Sequence, residues 1–188
     1  MSKGPRAYFL CLVALPALCA CVSPLYKVSP LPGSPPSDLA KSPAVAGIEI
    51  AAAALSDDRA LAQFGANLPL AGVIAVEVRI ANHGDQPIKL DSARFSLKDP
   101  KGRGFKPLAP KIALERVMTY YGVSLYGKEA YRLTIESYES IALNLAELEP
   151  REERSGILFF GARETSTGHT LLVLTLKGGP APISLRLD

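Results

Sequence analysis

Tryptophan is absent from the sequence, histidine occurs only twice and cysteine three times. His83 and His169 each stand beside a glycine in a polar turn, with no second histidine or free cysteine near either. A metal centre needs clustered ligands, so none is expected, and both are read as solvated turn histidines. A nucleophile elbow needs Gly-x-Ser-x-Gly at a strand-to-helix turn. Residues 122–127 read Gly-Val-Ser-Leu-Tyr-Gly, with the second glycine one place too late and helical pattern on both sides, so Ser124 reads as a loop residue. No glycine-rich phosphate loop and no internal repeat occur; Gly102, Gly104, Gly178 and Gly179 stand in hairpin-like turns. Glu147, Glu149, Glu152 and Glu153 cluster around Pro150, but they alternate with Arg151 and Arg154 as in a solvated turn. The formal charge of +3 is spread along the chain with no basic patch, which gives nucleic-acid binding no support. No enzyme, cofactor or metal site is expected from these residues.

What is there begins at the N-terminus. Lys3 and Arg6 precede a nearly wholly apolar stretch, Ala7 to Ala20, that ends in small residues. This is the order of an export signal. At roughly 14 residues the stretch falls short of the about 20 that a spanning helix needs. It closes on Leu18-Cys19-Ala20-Cys21, which resembles the lipobox of bacterial lipoproteins, although Cys19 stands where alanine, serine or threonine is usual. The resemblance implies cleavage between Ala20 and Cys21 and lipidation of Cys21. Cys11 and Cys19 would leave with the signal, so Cys21 would be the one remaining cysteine and no internal disulfide could form. Several acyl chains at about 0.8 kcal/mol per buried CH₂ suffice for stable anchoring. The partner so implied is a membrane of the cell envelope. Val22 and Ser23 follow with no Asp at the second mature position, a pattern similar to outer-membrane sorting, facing the periplasm, in two-membrane cells.

Residues 21–44 are rich in proline and serine and read as a lipidated N-terminus and tether, reaching up to about 70 Å in polyproline II at ~3.1 Å per residue. From 45 to 188 the pattern is mainly that of strands. Ile48 and Ile50 alternate with Glu49, and 57–65 reads as a short helix closed by Gly65. In 73–80, Ile74, Val76, Val78 and Ile80 face one way and Glu77 and Arg79 the other. Short strands are expected at 87–90, at 93–98 and in the extended piece Gly104 to Leu108. Late strands follow at 155–161, 171–177 and 183–187. Between them, at about 110–148, lies a helical pair. Pro110 starts the first helix, whose stripe is Leu114, Val117, Met118 and Tyr121, with Gly122 ending it. The second is expected from Lys128 to Ala146, stopped by Pro150, with a stripe of Tyr131, Ile135, Tyr138, Ala142 and Leu145 widened by Leu133 and Ile141. The expected fold is mainly β, an antiparallel β-sandwich with the helical pair inserted over one end or edge.

The run GVIAVEVRIANHGDQPIKLDSARFSL (72–97) resembles immunoglobulin-like domains of bacterial envelope lipoproteins, in which a strand ending in V-x-I-x-N is followed by a polar turn and I-x-L. The stretch LEPREERSGILFF (148–160) is similar to the P-G-E-x-x-S-G-x-L-x-F segment entering a late strand of such domains, with Arg151 where glycine is common. The resemblance implies an immunoglobulin-like sandwich and an envelope location, and no catalytic site. The leading expectation is a non-enzymatic binding or structural module. An envelope-acting hydrolase and an accessory lipoprotein of a secretion or surface machine are the alternatives.

Tyr120, Tyr121, Tyr126, Tyr131 and Tyr138 all fall in or between the two helices, where packing on the sheet is the expected role for most of them. The wide second stripe predicts a partly exposed apolar patch at Leu133 and Ile141, with Tyr126 near it, as a surface for an envelope protein partner. Polar substitution of Leu133 and Ile141 tests this: lost partner retention with unchanged thermal stability marks a surface, and a large loss of stability marks core.

Overall fold

The computed structural model describes residues 26, 28–31, 39–123, 127–161, 170–176 and 182–187. In chain order the elements are β1 (Ala40–Lys41), β2 (Ile48–Ala54), α1 (Asp57–Phe64), β3 (Val73–Asn82), β4 (Arg94–Lys98), β5 (Gly104–Phe105), β6 (Pro107–Leu108), α2 (Pro110–Tyr120), α3 (Lys128–Ile141), β7 (Glu153–Gly161), β8 (Thr170–Thr175) and β9 (Ile183–Leu187). A short 3-10 turn, Pro69–Ala71, precedes β3. Two antiparallel sheets result, one in the order β1-β2-β3-β7-β6 and the other β5-β4-β8-β9.

The period-two pattern places one apolar face of each sheet against the other. Ile48, Ile50, Val76, Val78, Ile80, Leu158 and Phe160 of the first sheet share a core with Phe95, Leu97, Leu172, Leu174, Ile183, Leu185 and Leu187 of the second. The opposite face of β3 and β7 is buried as well. There Val73, Ala75, Ile157 and Phe159 pack beneath Phe64 of α1, Leu114, Val117 and Met118 of α2, and Tyr138 and Ile141 of α3. The helical pair thus covers a face of the five-stranded sheet, together with α1, and not an end or edge. The physical reason is the apolar run of β7, whose residues point alternately into both layers and need cover on both sides.

This cover explains a second departure from expectation. Glu77 is not on a solvated face: it is 4% exposed, and its carboxylate accepts a 2.6 Å hydrogen bond from the Arg59 guanidinium of α1. Helix α1 is itself well specified. Ser56 caps its start by accepting from Arg59 N–H, and Gly65 closes it at φ 63°, donating to Leu61 O.

Helix α3 ends at Ile141 and does not reach Ala146. Tertiary hydrogen bonds take the chain out of the helix. Ala142 turns extended and bridges Ile157, and Leu143 N–H donates to Ile157 O. Leu145, placed by periodicity on the helical stripe, packs instead against the core between the sheets. The backbone at Leu143 passes so close to Gly156 that a Cβ there would lie 2.4 Å from Leu143 Cα. The expected strand at 87–90 is reduced to one bridge, Ile88 to Leu148, beside Pro87, which has no N–H to give a ladder. The extended piece Gly104 to Leu108 is divided between the sheets, β5 pairing with β4 and β6 with β7.

The described part of the proline-rich stretch lies on the domain and not away from it. Tyr26, Val28 and Leu31 pack against the helical layer, Ser29 exchanges hydrogen bonds with Gln63, and β1 pairs with β2.

The two stretches singled out by resemblance meet at Asn82, 1% exposed. Its side-chain amide donates to Gln86 O (2.9 Å), Glu149 O (3.1 Å) and Leu148 O (3.3 Å), and its Oδ1 accepts from Gly84 N–H. Its backbone donates to Glu152 O and accepts from Arg151 N–H. Arg151 adopts φ 63°, the left-handed conformation that explains why glycine suits this place. Asn82→Ala is expected to cost about 2–3 kcal/mol by stranding buried carbonyls. Gly156→Ala is expected to cost about 1–3 kcal/mol by overpacking. Urea denaturation midpoints check both, and Arg151→Gly serves as the control that keeps or raises the midpoint.

Candidate functional site

Cys21, Ala20, Ser124, Tyr126 and His169 lie outside the described residues. The remaining sequence candidates are placed as follows. Leu133 is half-buried on the flank of α3, whereas Ile141 is 7% exposed and belongs to the core beneath the helices. Helix α3 turns Thr134, Tyr138 and Ile141 inward, one face at i, i+4, i+7 spacing. Leu133 precedes that face by one residue, about 100° of helix rotation, and so reaches its margin.

His83 does stand in a turn, half exposed, but it is not merely solvated. Its Nε2 lies 3.0 Å from Glu49 Oε2. Nearby, Arg79 pairs with Glu153 across the β3–β7 ladder. These four side chains, with Lys41, line a shallow depression of about 110 Å³ where the helical layer ends and the outer face of the sheet opens. Each acid there has a base beside it, Glu49 with His83 and Glu153 with Arg79, so the two carboxylates are engaged across neighbouring strands. Glu152 is likewise committed. A hydrogen bond from Glu149 N–H, and then the Arg154 guanidinium, hold its carboxyl below the usual range. Arg154 also donates to the carbonyls of Asn144, Ala146 and Glu147 and so ties down the turn around Pro150, while Glu153 of the same acidic cluster pairs with Arg79. Among the described residues no group of three or more His, Cys, Asp or Glu is placed to hold a metal.

The tyrosines divide by depth. Tyr138 is fully buried, its ring 5.2 Å from Phe64 and 5.7 Å from Phe159. Burial first, and then the neighbouring Tyr26 and Tyr121, push its phenol well above the ordinary value. Tyr131 is half-buried and donates to Glu115. Tyr120 and Tyr121 are 50% and 45% exposed, their rings at right angles with centroids 5.0 Å apart. Tyr121 accepts from Asn67 N–H and lies 6.3 Å from Tyr26.

The exposed apolar surface therefore gathers on α2 and the 3-10 turn. Leu70, Ile112 and Tyr120 line an open groove of about 520 Å³, with Arg116 and Glu115 at its side. Leu70 and Ile112 are 52% and 42% exposed. This surface is not evident from periodicity, because Ile112 and Tyr120 fall off the stripe of α2 and Leu70 sits in an irregular turn. The apolar spacing of Tyr26, Val28 and Leu31 among prolines is the one sequence signal that the N-terminal stretch docks beside it.

No protein-family model matches the chain, and no curated protein does. A crystal structure of a conserved hypothetical protein from Bacillus anthracis, at 2.2 Å, is similar over 71% of this chain and 86% of that one, with 14% identity and a TM-score of 0.38.

The burial of α3 makes the double substitution separable. Ile141→Asn is expected to lower unfolding free energy by about 2–4 kcal/mol, and Leu133→Asn by less than about 1.5 kcal/mol. Thermal melts of the two single variants check the order.

Proposed function

We propose that the chain is a lipid-anchored lipoprotein of the bacterial cell envelope whose folded part is a non-enzymatic binding or structural module. The observation that carries this is the sequence Leu18-Cys19-Ala20-Cys21 at the end of an apolar stretch led by Lys3 and Arg6. After cleavage before Cys21, the thiol of that residue takes the lipid and its amino group a further acyl chain, and the hydrocarbon holds the protein on the membrane.

The folded part is read as immunoglobulin-like. Support comes from strand order. In such sandwiches the first sheet runs A-B-E-D and the second holds C-F-G. With β2 as A and β3 as B, the order β2-β3-β7-β6 corresponds to the first, and β4-β8-β9 to the second, with β5 as an added edge. Helices α2 and α3 then fill the connection between the D and E positions. A module of this kind works by presenting surface, and the acids and bases described above are engaged with one another.

The lipid reading is tested on the N-terminal peptide of the mature protein. Mass spectrometry is expected to show acyl mass on Cys21, and Cys21→Ser to release the protein from the membrane fraction or leave it as uncleaved precursor. A mature protein with an unmodified Cys21 thiol overturns the reading.

A further inference from the structure

The large apolar side chains most exposed among the described residues are Leu61, Leu70, Ile112, Tyr120 and Tyr121, and all five lie in the helical layer or the turn beside it. Four of them form one edge. Leu70, Ile112 and Tyr120 line a common groove, and Tyr121 adjoins Tyr120. The N-terminal stretch comes down on the same edge, where Tyr26 lies against Tyr121 with its hydroxyl buried. We propose that this edge rests on the lipid bilayer, so that the domain lies against the membrane surface and is not held out from it. The proposal rests on the lipid-anchor reading above.

Chain length supplies the first argument. Cys21 precedes the docked Tyr26 by five residues, which span at most about 18 Å at full extension. The described residues that follow Tyr26 lie on the domain, Ser29 against Gln63 and β1 against β2, so the reach is set by the residues between Cys21 and Tyr26. The four-stranded sheet lies on the far side of the molecule, two layers away at about 10 Å each, beyond a short leash that starts at the helical layer. The helical layer is the side the lipid can bring to the membrane.

Side-chain chemistry supplies the second. Tyrosine suits a membrane interface because its ring enters the apolar boundary while its hydroxyl stays at headgroup level. Leu70 and Ile112 add hydrocarbon, and Arg116 of α2, which lines the same groove, places a cation at headgroup depth beside them. Glu115, 4.0 Å from Lys111 and accepting from Tyr131, offsets Lys111, so Arg116 supplies the net positive charge of the edge. The edge therefore offers two tyrosines, two aliphatic side chains and the Arg116 cation within reach of the lipid attachment.

The absence of tryptophan allows a clean test. The lipidated full chain is placed in phosphatidylethanolamine–phosphatidylglycerol vesicles whose acyl chains are brominated near the headgroup. Three variants carry a single reporter: Tyr120→Trp and Leu70→Trp on the edge, and Ser184→Trp on the exposed face of β9. The two edge reporters are expected to shift their emission to the blue and to lose most of it to bromine, while the Ser184→Trp reporter keeps its emission. Quenching at neither edge position, or equal quenching at all three, overturns the proposal. A blue shift at the edge without bromine quenching also overturns it, and assigns the edge to a protein partner or a second copy of the chain. Acyl mass on Cys21 is read on the same samples: acylation without edge quenching sinks this proposal alone, and an unmodified Cys21 sinks the lipid reading with it.

Discussion

The pairing of β3 with β7 is the constraint on which the rest of the structure depends. Nine residues are in register from Val73 opposite Gly161 to Ala81 opposite Glu153, and both faces of the pair are buried for most of that length. One face contributes Val76, Val78, Leu158 and Phe160 to the core between the sheets, and the other contributes Val73, Ala75, Ile157 and Phe159 to the core under the helices. A sheet with two apolar faces needs a layer on each side. The four-stranded sheet supplies one layer, and α1, α2 and α3 supply the other. The Phe64, Tyr138 and Phe159 rings tie α1, α3 and β7 together at the centre of the helical side.

From this pair the placement of the polar groups follows. Glu77 falls on the helical face by strict alternation, and α1 brings Arg59 to meet it. Where the helical cover ends, the same alternation puts Arg79 in the open, and it finds Glu153 on the neighbouring strand instead. At the strand's last residue, Asn82 gathers the turn before Gln86 and the turn after Leu148 into one buried knot.

Much of this was legible in the residues. The alternation in β3 and β9, the proline start of α2 and the glycine close of α1 are local signals, and the structure agrees with them. What was not legible depends on partners distant in sequence. Nothing near Ala142 announces the end of α3, because the competitor is the carbonyl of Ile157. Glu77 reads as a surface residue until α1 is laid over it. Ile141 widens the apolar stripe of α3 toward a partly exposed patch by sequence alone, and it is buried because the sheet beneath supplies Ile157 and Phe159. The exposed edge at Leu70, Ile112 and Tyr120 has no periodic signature at all, since it is made of what the stripes leave out.

The wide separation of β3 and β7 along the chain also bears on the order of folding. β2 and β3 are joined by a short connection through α1 and can pair early, whereas β7 reaches β3 only after β4, β5, β6 and both long helices have been made. Closing so long a loop costs chain entropy before the ladder returns any contact. Docking α2 and α3 on the waiting face of β3 shortens that loop in space. Until β7 arrives, the partly folded chain then presents β3 with one edge unpaired, and that interval is when it is most exposed to pairing with another chain.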